Sequence, residues 1–257
     1  MNTLIVFGEG ETERRLMDKF WRQVFPQWGA LDFRSSGGRD ELVNKLIAAL
    51  GPELAQPVQC VILADLDAGD TLQSVQQRIA NGLRRMLAER RYLDDGIAFS
   101  PVAGLANVLL FARRLPPGHE LRIVLHIAQA PPTLPALGLS FQNAATDDYI
   151  LATALIESVA ERFAHEAGLT GAVLNRKVTA EIPELLRANG VASLEAKDLI
   201  GIYMAVARFL KVKRTEGRER FADFVIDRAL KYARPEFNSI FSSLVVALRT
   251  ATAQESV

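Results

Sequence analysis

The spacing of apolar residues predicts two alternating kinds of element in the first half of the chain. Runs of apolar and β-branched residues, bounded by glycine, proline or charged residues, predict buried strands at 3–8, 31–33, 57–64, 107–111 and 121–127. Other segments have an apolar residue at every third or fourth position, which is typical of helices that bury one face; they are 12–25, 40–50 and 71–90. Strands that alternate with helices predict an α/β fold with a mostly parallel sheet flanked by helices.

The pattern changes near residue 130, where a proline-rich stretch at 130–135 interrupts the alternation. Beyond this stretch the apolar spacing is helical throughout, and it predicts helices at 147–166, 178–188, 195–212, 217–233 and 236–251. We therefore expect two parts: an α/β core at 1–130, and a C-terminal helical subdomain at 131–257 that packs on the core.

The composition narrows the classes of protein to consider. The 257 residues are 49% hydrophobic, enough for a substantial core. Cys60 is the only cysteine, which excludes an internal disulfide and a thiolate zinc cluster. Without an apolar run of about 18 residues or a basic–apolar leader, we expect a cytoplasmic protein with no membrane partner. Because 30 basic residues balance 30 acidic ones, binding to nucleic acid would require a local basic patch.

An acidic turn with two glycines, residues 8–13 (G-E-G-E-T-E), follows the first predicted strand. The dinucleotide-binding pattern G-x-G-x-x-G fails because Glu13 replaces its last glycine, and no P-loop pattern occurs. Glu9 lies just past the strand, where α/β proteins place their ligands, and Glu13 follows one helical turn later. Carboxylates this close repel one another unless a divalent cation lies between them, which favours a metal site. Alternatively, Glu11 and Glu13 complement the helix dipole, with Thr12 as the N-cap.

A second acidic motif follows the strand predicted at 57–64, in which Asp65-Leu66-Asp67 forms a D-x-D pattern. Residues two apart in an extended strand point to the same face, so the two carboxylates are expected to converge. An acidic pair at the end of a strand is a frequent Mg²⁺ platform, because its oxygens leave positions open for water and phosphate. The alternative is that Asp67 and Asp70 are ordinary turn and N-cap residues before the next helix.

Together the two motifs resemble a known family. Residues 6–13 (V-F-G-E-G-E-T-E) resemble the V-E-G-x-T-E opening of TOPRIM domains, and residues 62–67 resemble their D-x-D strand. Residues 36–42 are similar to a G-G-x-x-x-L segment of stand-alone TOPRIM proteins close to the OLD-type nucleases. Residues 147–151 (D-D-Y-I-L) resemble a later E-D-[YF]-L segment of those relatives, with aspartate in place of glutamate, and 196–198 correspond to a lysine-bearing helix. The resemblance is close over about 3–75 and looser over 120–250.

The resemblance implies a Rossmann-like TOPRIM sheet and phosphoryl transfer on nucleic acid that depends on Mg²⁺ or Mn²⁺. The carboxylates that it implies as ligands for one or two ions are Glu9, Glu13, Asp65, Asp67 and Asp148. Lys197 would neutralise charge on the scissile phosphate, and Glu9 is alternatively a general acid or base. The reaction implied is cleavage of a phosphodiester in DNA or RNA, with a separately encoded ATPase or a second copy of the chain as a further partner.

Candidate contacts to nucleic acid come from two places in the sequence. A basic cluster contains Arg208, Lys211, Lys213, Arg214, Arg218 and Arg220, and it would suit a phosphate backbone. The ordinary alternative is a solvated helix end and loop. Arg39, next to the glycine pair at 37–38, is a further candidate contact. The aromatic residues Phe209 and Phe221, close to the basic cluster, are expected in the core.

The sequence is also compatible with two other functions. The balanced charge and the lack of a fused ATPase favour a non-catalytic TOPRIM-fold module for binding or regulation. A dinucleotide-binding protein is the other, because Asp32 follows the glycine turn at about the distance of a ribose-binding acid. Glu13 at the last glycine position of the pattern argues against the dinucleotide.

Overall fold

Two compact units make up the fold. The computed structural model describes residues 3–26, 28–37, 39–92, 96–116, 118–207 and 217–252. The first unit consists of residues 1–128 together with 242–257, and the second of residues 129–241. The sequence led us to expect one division near 130, with everything after it in the helical part. In the structure, the last described helix (Ser242–Thr252) belongs instead to the first unit.

The first unit contains a six-stranded sheet. Its strands are β1 (Leu4–Gly8), β2 (Leu31–Ser35), β3 (Val58–Ala64), β4 (Ser100–Val102), β5 (Leu105–Leu115) and β6 (His119–Ile127). The strand order is β2-β1-β3-β6-β5-β4, in which the first four strands are parallel and β5 pairs antiparallel with both of its neighbours. The predicted α/β class with a mostly parallel sheet is confirmed. The short edge strand β4 (S-P-V) was not predicted, because it has no apolar run and contains a proline.

Helices flank this sheet, and within the described residues the second unit has helices as its regular elements. In chain order they are α1 (Glu11–Val24), α2 (Arg39–Leu50), α3 (Leu72–Glu89), α4 (Thr133–Ala136), α5 (Thr146–Ala154), α6 (Glu157–Ala167), α7 (Gly171–Arg176), α8 (Ile182–Ala188), α9 (Ala196–Val206), α10 (Gly217–Tyr232), α11 (Arg234–Ile240) and α12 (Ser242–Thr252). A 3₁₀ turn at Pro52–Ala55 and a π-helical turn at Lys177–Glu181 complete the regular elements. None of the helices in the described ranges is long and apolar enough to cross a membrane.

The core of the first unit lies on both faces of the sheet, since successive residues of a strand point to opposite sides. Ile5 and Phe7 of β1 pack on one face with apolar residues of α2 and α3. Leu4 and Val6, which alternate with them and so point to the other face of the sheet, are also buried. Helix α12 packs against β3, β5 and β6, and His126 of β6 is joined to it by a 2.9 Å hydrogen bond between Nε2 and the Ser243 hydroxyl.

The second unit is helical, as the apolar spacing predicted, but two predicted helices are each divided. The helix expected at 147–166 is α5 followed by α6, because Ile156 has an extended ψ of 127° that ends one helix and starts the next. The helix expected at 236–251 is α11 followed by α12, which belong to different units. Phe221 is fully buried, so its predicted place in the core is confirmed, and it packs against Phe163 and Tyr203.

Candidate functional site

The two acidic motifs follow neighbouring strands at one edge of the sheet. Strands β1 and β3 are parallel and adjacent, with Phe7 opposite Ile62. Glu9 is two residues beyond Phe7, and Asp65 is three residues beyond Ile62. Both acids therefore lie at the carboxyl edge of the sheet, the edge at which open α/β sheets bind their ligands.

The turn that carries Glu9 is held by the end of β2. The Ser36 N–H donates to the Gly8 carbonyl at 2.9 Å. The Ser35 hydroxyl and the Gly37 N–H donate to the Glu9 carbonyl at 3.0 and 3.1 Å. A Cβ atom at Gly8 would meet the Phe33 ring at 2.8 Å, so this position requires glycine for close packing. The backbone of Glu9 is therefore fixed at the sheet edge, whichever way its side chain turns.

Glu13 has a structural contact of its own. Its Oε2 accepts a 2.9 Å hydrogen bond from the Gly10 N–H, and the residue is 9% exposed. Helix α1 thus has Gly10 as its N-cap, so the alternative interpretation with Thr12 as the N-cap is wrong. Glu13 satisfies a backbone donor that would otherwise lack an intrahelical partner. Glu11 pairs instead with Arg14 and Arg15, and its hydrogen bond from Arg14 holds its pKa near 2, well below the usual value.

Asp65 and Asp67 lie in the loop beyond β3, because the strand ends at Ala64. Both are partly buried. The N-cap of the next helix is Thr71, whose hydroxyl accepts from the Ser74 N–H at 3.0 Å. The alternative expectation that an aspartate caps this helix is therefore wrong. Asp67 does contribute to the turn through its carbonyl, which accepts from the Asp70 N–H at 2.9 Å, while its carboxylate has no part in that bond.

The carboxylates of this edge are the right type of donor for a hard divalent cation, since Mg²⁺ and Mn²⁺ bind carboxylate and water oxygens. Glu9, Asp65 and Asp67 provide three of them on two adjacent strand ends. Over the part of the chain that the structure describes, no three His, Cys, Asp or Glu side chains are gathered closely enough to hold a metal ion. To share an ion, these carboxylates would have to turn toward one another, and mutual repulsion opposes that rotation until a cation is present.

Asp148 lies in the second unit, at the third position of α5. Its Oδ2 accepts a 2.8 Å hydrogen bond from the Ala145 N–H, as Glu13 does at the start of α1. The residue is 2% exposed, and its buried Oδ1 has no hydrogen-bond partner. Burial raises the pKa of this carboxyl to about 6, and the negative charge of Asp147 acts in the same direction.

Lys197 also lies in the second unit, in the first turn of α9. Its amine is 2.7 Å from Oε2 of Glu195, and its side chain is 53% exposed. The hydrogen bond to Glu195 raises the pKa of the amine, so Lys197 is a cation at physiological pH. The same glutamate accepts a 2.8 Å hydrogen bond from the amide of Asn143 through its other oxygen, which fixes the position of the ion pair.

The predicted nucleic-acid contacts fall mostly outside the structure. Lys211, Lys213, Arg214 and Phe209 lie outside the described residues. Helix α2 begins at Arg39, but its side chain is also outside the description. Helix α10 also carries a row of aromatic and basic residues with i, i+4 spacing, of which the sequence analysis singled out only Arg220. The row is Arg220, Phe224, Arg228 and Tyr232; its two aromatic residues are exposed and its two arginines are half-buried.

The dinucleotide alternative depends on Asp32, which lies within β2 opposite Ile5. Its Oδ2 accepts from Arg34 Nε at 2.8 Å, and Arg34 also reaches Glu53 at 2.9 Å. These three residues line a cavity of about 400 Å³ beside Val58, the first residue of β3. The cavity is therefore near the amino ends of the strands, away from the glycine turn, and Asp32 is in the wrong place for a ribose bound at that turn.

Comparison of the chain with protein-family models, with curated proteins and with solved structures gives no match. The observed sheet supports the α/β class, and the resemblance to TOPRIM domains rests on the sequence motifs alone.

Proposed function

We propose that the chain cleaves phosphodiester bonds in nucleic acid, using Mg²⁺ or Mn²⁺ held at a TOPRIM-type acidic edge. The observation that carries the proposal is the position of Glu9 and of the Asp65–Asp67 pair just beyond the adjacent parallel strands β1 and β3. Two acidic motifs far apart in sequence meet at one sheet edge, which is the arrangement that the TOPRIM resemblance requires.

In this proposal Glu9, Asp65 and Asp67 would hold the cation, which would supply Lewis acidity to the phosphate and to an attacking water. Glu13 orients the site by fixing the first turn of α1 through its bond to Gly10. Its second carboxylate oxygen remains the candidate for a contact to the ion, as the resemblance implies.

The resemblance also assigns roles to Asp148 and Lys197, two residues of the second unit. The resemblance assigns Asp148 to a second ion, and an ion would satisfy its buried Oδ1, which lacks a hydrogen-bond partner. Lys197 carries the positive charge that a phosphodiester transition state needs, since negative charge accumulates on the phosphate oxygens. To do so, its amine would have to exchange Glu195 for the substrate.

A non-catalytic binding or regulatory module is the second candidate function. Two contacts favour it: Glu13 is engaged as a helix cap, and Lys197 is engaged by Glu195. A protein with both residues held in structural roles could still bind a cation or a phosphate group without cleaving a diester.

The deciding experiment is a cleavage assay on single-stranded and double-stranded DNA and RNA, with Mg²⁺, Mn²⁺ or chelator. We expect cleavage with either metal, none with chelator, and none in the double variant Asp65→Asn/Asp67→Asn. Asp18→Asn is the matched control, because Asp18 is an exposed acid of the same unit that pairs with Arg14. Binding of metal and nucleic acid without cleavage would favour the second function. Cleavage that persists in the double variant would exclude the proposed site.

A further inference from the structure

One face of α10 carries alternating basic and aromatic residues. Arg220, Phe224, Arg228 and Tyr232 are spaced four residues apart, so they form one row along the helix. Phe224 is 42% exposed and Tyr232 is 41% exposed. The opposite face of α10 is buried in the second unit through Phe221, Val225, Ile226 and Ala229. The aromatic rings of the row are therefore not needed to fill the core.

The rings of this row are flanked by cations. The Arg162 guanidinium, from α6, lies 4.3 Å from the centroid of the Tyr232 ring, and the Lys231 amine lies 5.0 Å from it. The Arg228 guanidinium lies 5.1 Å from the Phe224 ring and 4.6 Å from the buried Phe163 ring. In these cation–π contacts the cations lie over the two rings, so a base would stack on the part of each ring that stays exposed, next to a bound positive charge.

The charge of the surrounding sequence has the same sign. Residues 208–232 contain eight basic and four acidic residues, in a chain with a net charge of zero. Three of the four acids, Glu219, Asp223 and Asp227, are on α10 in the row next to the aromatic one. The row thus lies in a basic part of the sequence and begins six residues after Arg214, the last residue of the basic cluster before α10.

We propose that the row Arg220–Phe224–Arg228–Tyr232 binds single-stranded nucleic acid, with a base stacked on each of the two rings and phosphates bound by Arg162 and Arg228. Stacking requires a base whose face is open, which a duplex does not offer, and aromatic platforms beside basic side chains are the common solution for single strands. The two rings are eight residues apart, about 12 Å along the helix, a span of a few nucleotides. The inference rests on the proposed function and deepens it, because it names a single strand as the substrate class.

Binding is measured on the full chain in EDTA, by fluorescence anisotropy of a labelled oligonucleotide, so that cleavage plays no part. The probes are a single-stranded oligothymidylate, a duplex of the same length, and an abasic strand with the same number of phosphates. We expect the single strand to bind on the order of tenfold or more tighter than the abasic strand, since each stacked base contributes to affinity. Equal affinity for the single and abasic strands would overturn the stacking proposal, because phosphate charge alone would then explain binding.

The variants are Phe224→Leu and Tyr232→Leu, singly and together, which keep apolar volume and remove the aromatic faces. Each single variant should lose roughly fivefold or more in affinity for the single strand and none for the abasic strand. Leu185→Ala is the matched control, since Leu185 is an exposed apolar residue (63%) of the same unit outside the row. Variants that bind the single strand as the unchanged chain does would overturn the proposal.

Two further outcomes separate this inference from the proposed function. If Asp65→Asn/Asp67→Asn abolishes cleavage while the leucine variants bind and cleave normally, the acidic site stands and the α10 row is not the substrate surface. If the unchanged chain binds none of the three probes, the row does not bind nucleic acid and the inference is overturned. Binding that depends on the rings in a chain that never cleaves would support the row and refute the nuclease.

Discussion

The backbone N–H of Gly10 donates a 2.9 Å hydrogen bond to Oε2 of Glu13, three residues later. This bond joins the two halves of the acidic turn and starts α1 directly beside Glu9. Glu13 is therefore both a helix cap and a candidate metal ligand, and the two roles respond differently to substitution.

The glutamine and alanine variants of Glu13 separate these roles. Glu13→Ala should lower the free energy of unfolding by about 1 kcal/mol, because the Gly10 N–H loses its acceptor. Glu13→Gln should stay within about 0.5 kcal/mol of the unchanged chain, since an amide oxygen can accept the same bond. Urea denaturation measures both. If Glu13 also contacts the ion, both variants will show a weaker stabilisation by Mg²⁺, and the glutamine variant will show it with the cap intact. An undiminished Mg²⁺ response would restrict Glu13 to the cap.

Divalent cations should stabilise the chain through the acidic edge. An ion that binds only the folded state adds about 2.7 kcal/mol when its concentration is 100 times its Kd. We expect millimolar Mg²⁺ or Mn²⁺ to raise the melting temperature, and Asp65→Asn/Asp67→Asn to abolish the rise. An equal rise in both proteins would place the bound ion elsewhere.

Lys197 should matter for turnover and not for metal binding. Lys197→Ala should reduce the cleavage rate by about 10² or more, because a positive charge at the developing phosphate charge is lost. Lys177→Ala is a matched control, since Lys177 is another partly exposed lysine of the second unit and pairs with Glu181 at 3.2 Å. The cleavage rate is measured under single-turnover conditions. The metal-induced rise in melting temperature is measured in parallel, to show that metal binding is unchanged. Equal rates in the two alanine variants would remove Lys197 from the mechanism.

His126 should make the stability of the first unit depend on pH. Burial lowers the pKa of its imidazole from 6.5 to about 4, so the folded chain favours the neutral ring. Its contribution is complete above pH 6.5 and is lost as the pH falls from 6.5 to about 4, because the unfolded chain takes up the proton first. The full loss is about 3 kcal/mol.

The variant that isolates this effect is His126→Gln, whose amide can keep the contact with the Ser243 hydroxyl. Urea denaturation from pH 4 to 8 should show the unchanged chain losing stability relative to the variant as the pH falls through this window. A difference between the two proteins that is constant over the whole range would mean that His126 does not titrate as its burial requires.

The acidic turn shows which features of the structure could be predicted from the local sequence. The strand, the turn and the helix around Glu9 were predicted from apolar spacing and glycine positions, and β1 and α1 are found there. The alternative interpretation placed the N-cap two residues late, at Thr12, because the helix starts where a backbone N–H finds an acceptor. That acceptor is the side chain of Glu13, and apolar spacing does not register it. The division between α5 and α6 was missed for a similar reason, since one extended residue, Ile156, leaves the apolar period almost unchanged.

The sequence by itself determined the buried strands, the helical second half and the position of one acidic motif after each of two strands. These features depend on which residues are apolar within a few positions of one another, and local spacing records that directly. Only the tertiary structure decided that β1 lies next to β3, which brings Glu9 and Asp65 to adjacent strand ends. It also decided that α12 packs on the sheet of the first unit. The order of the strands and the packing of α12 on the sheet depend on which apolar surfaces, distant in sequence, bury each other best. Many different pairings of strands and helices are compatible with the same local pattern of apolar residues.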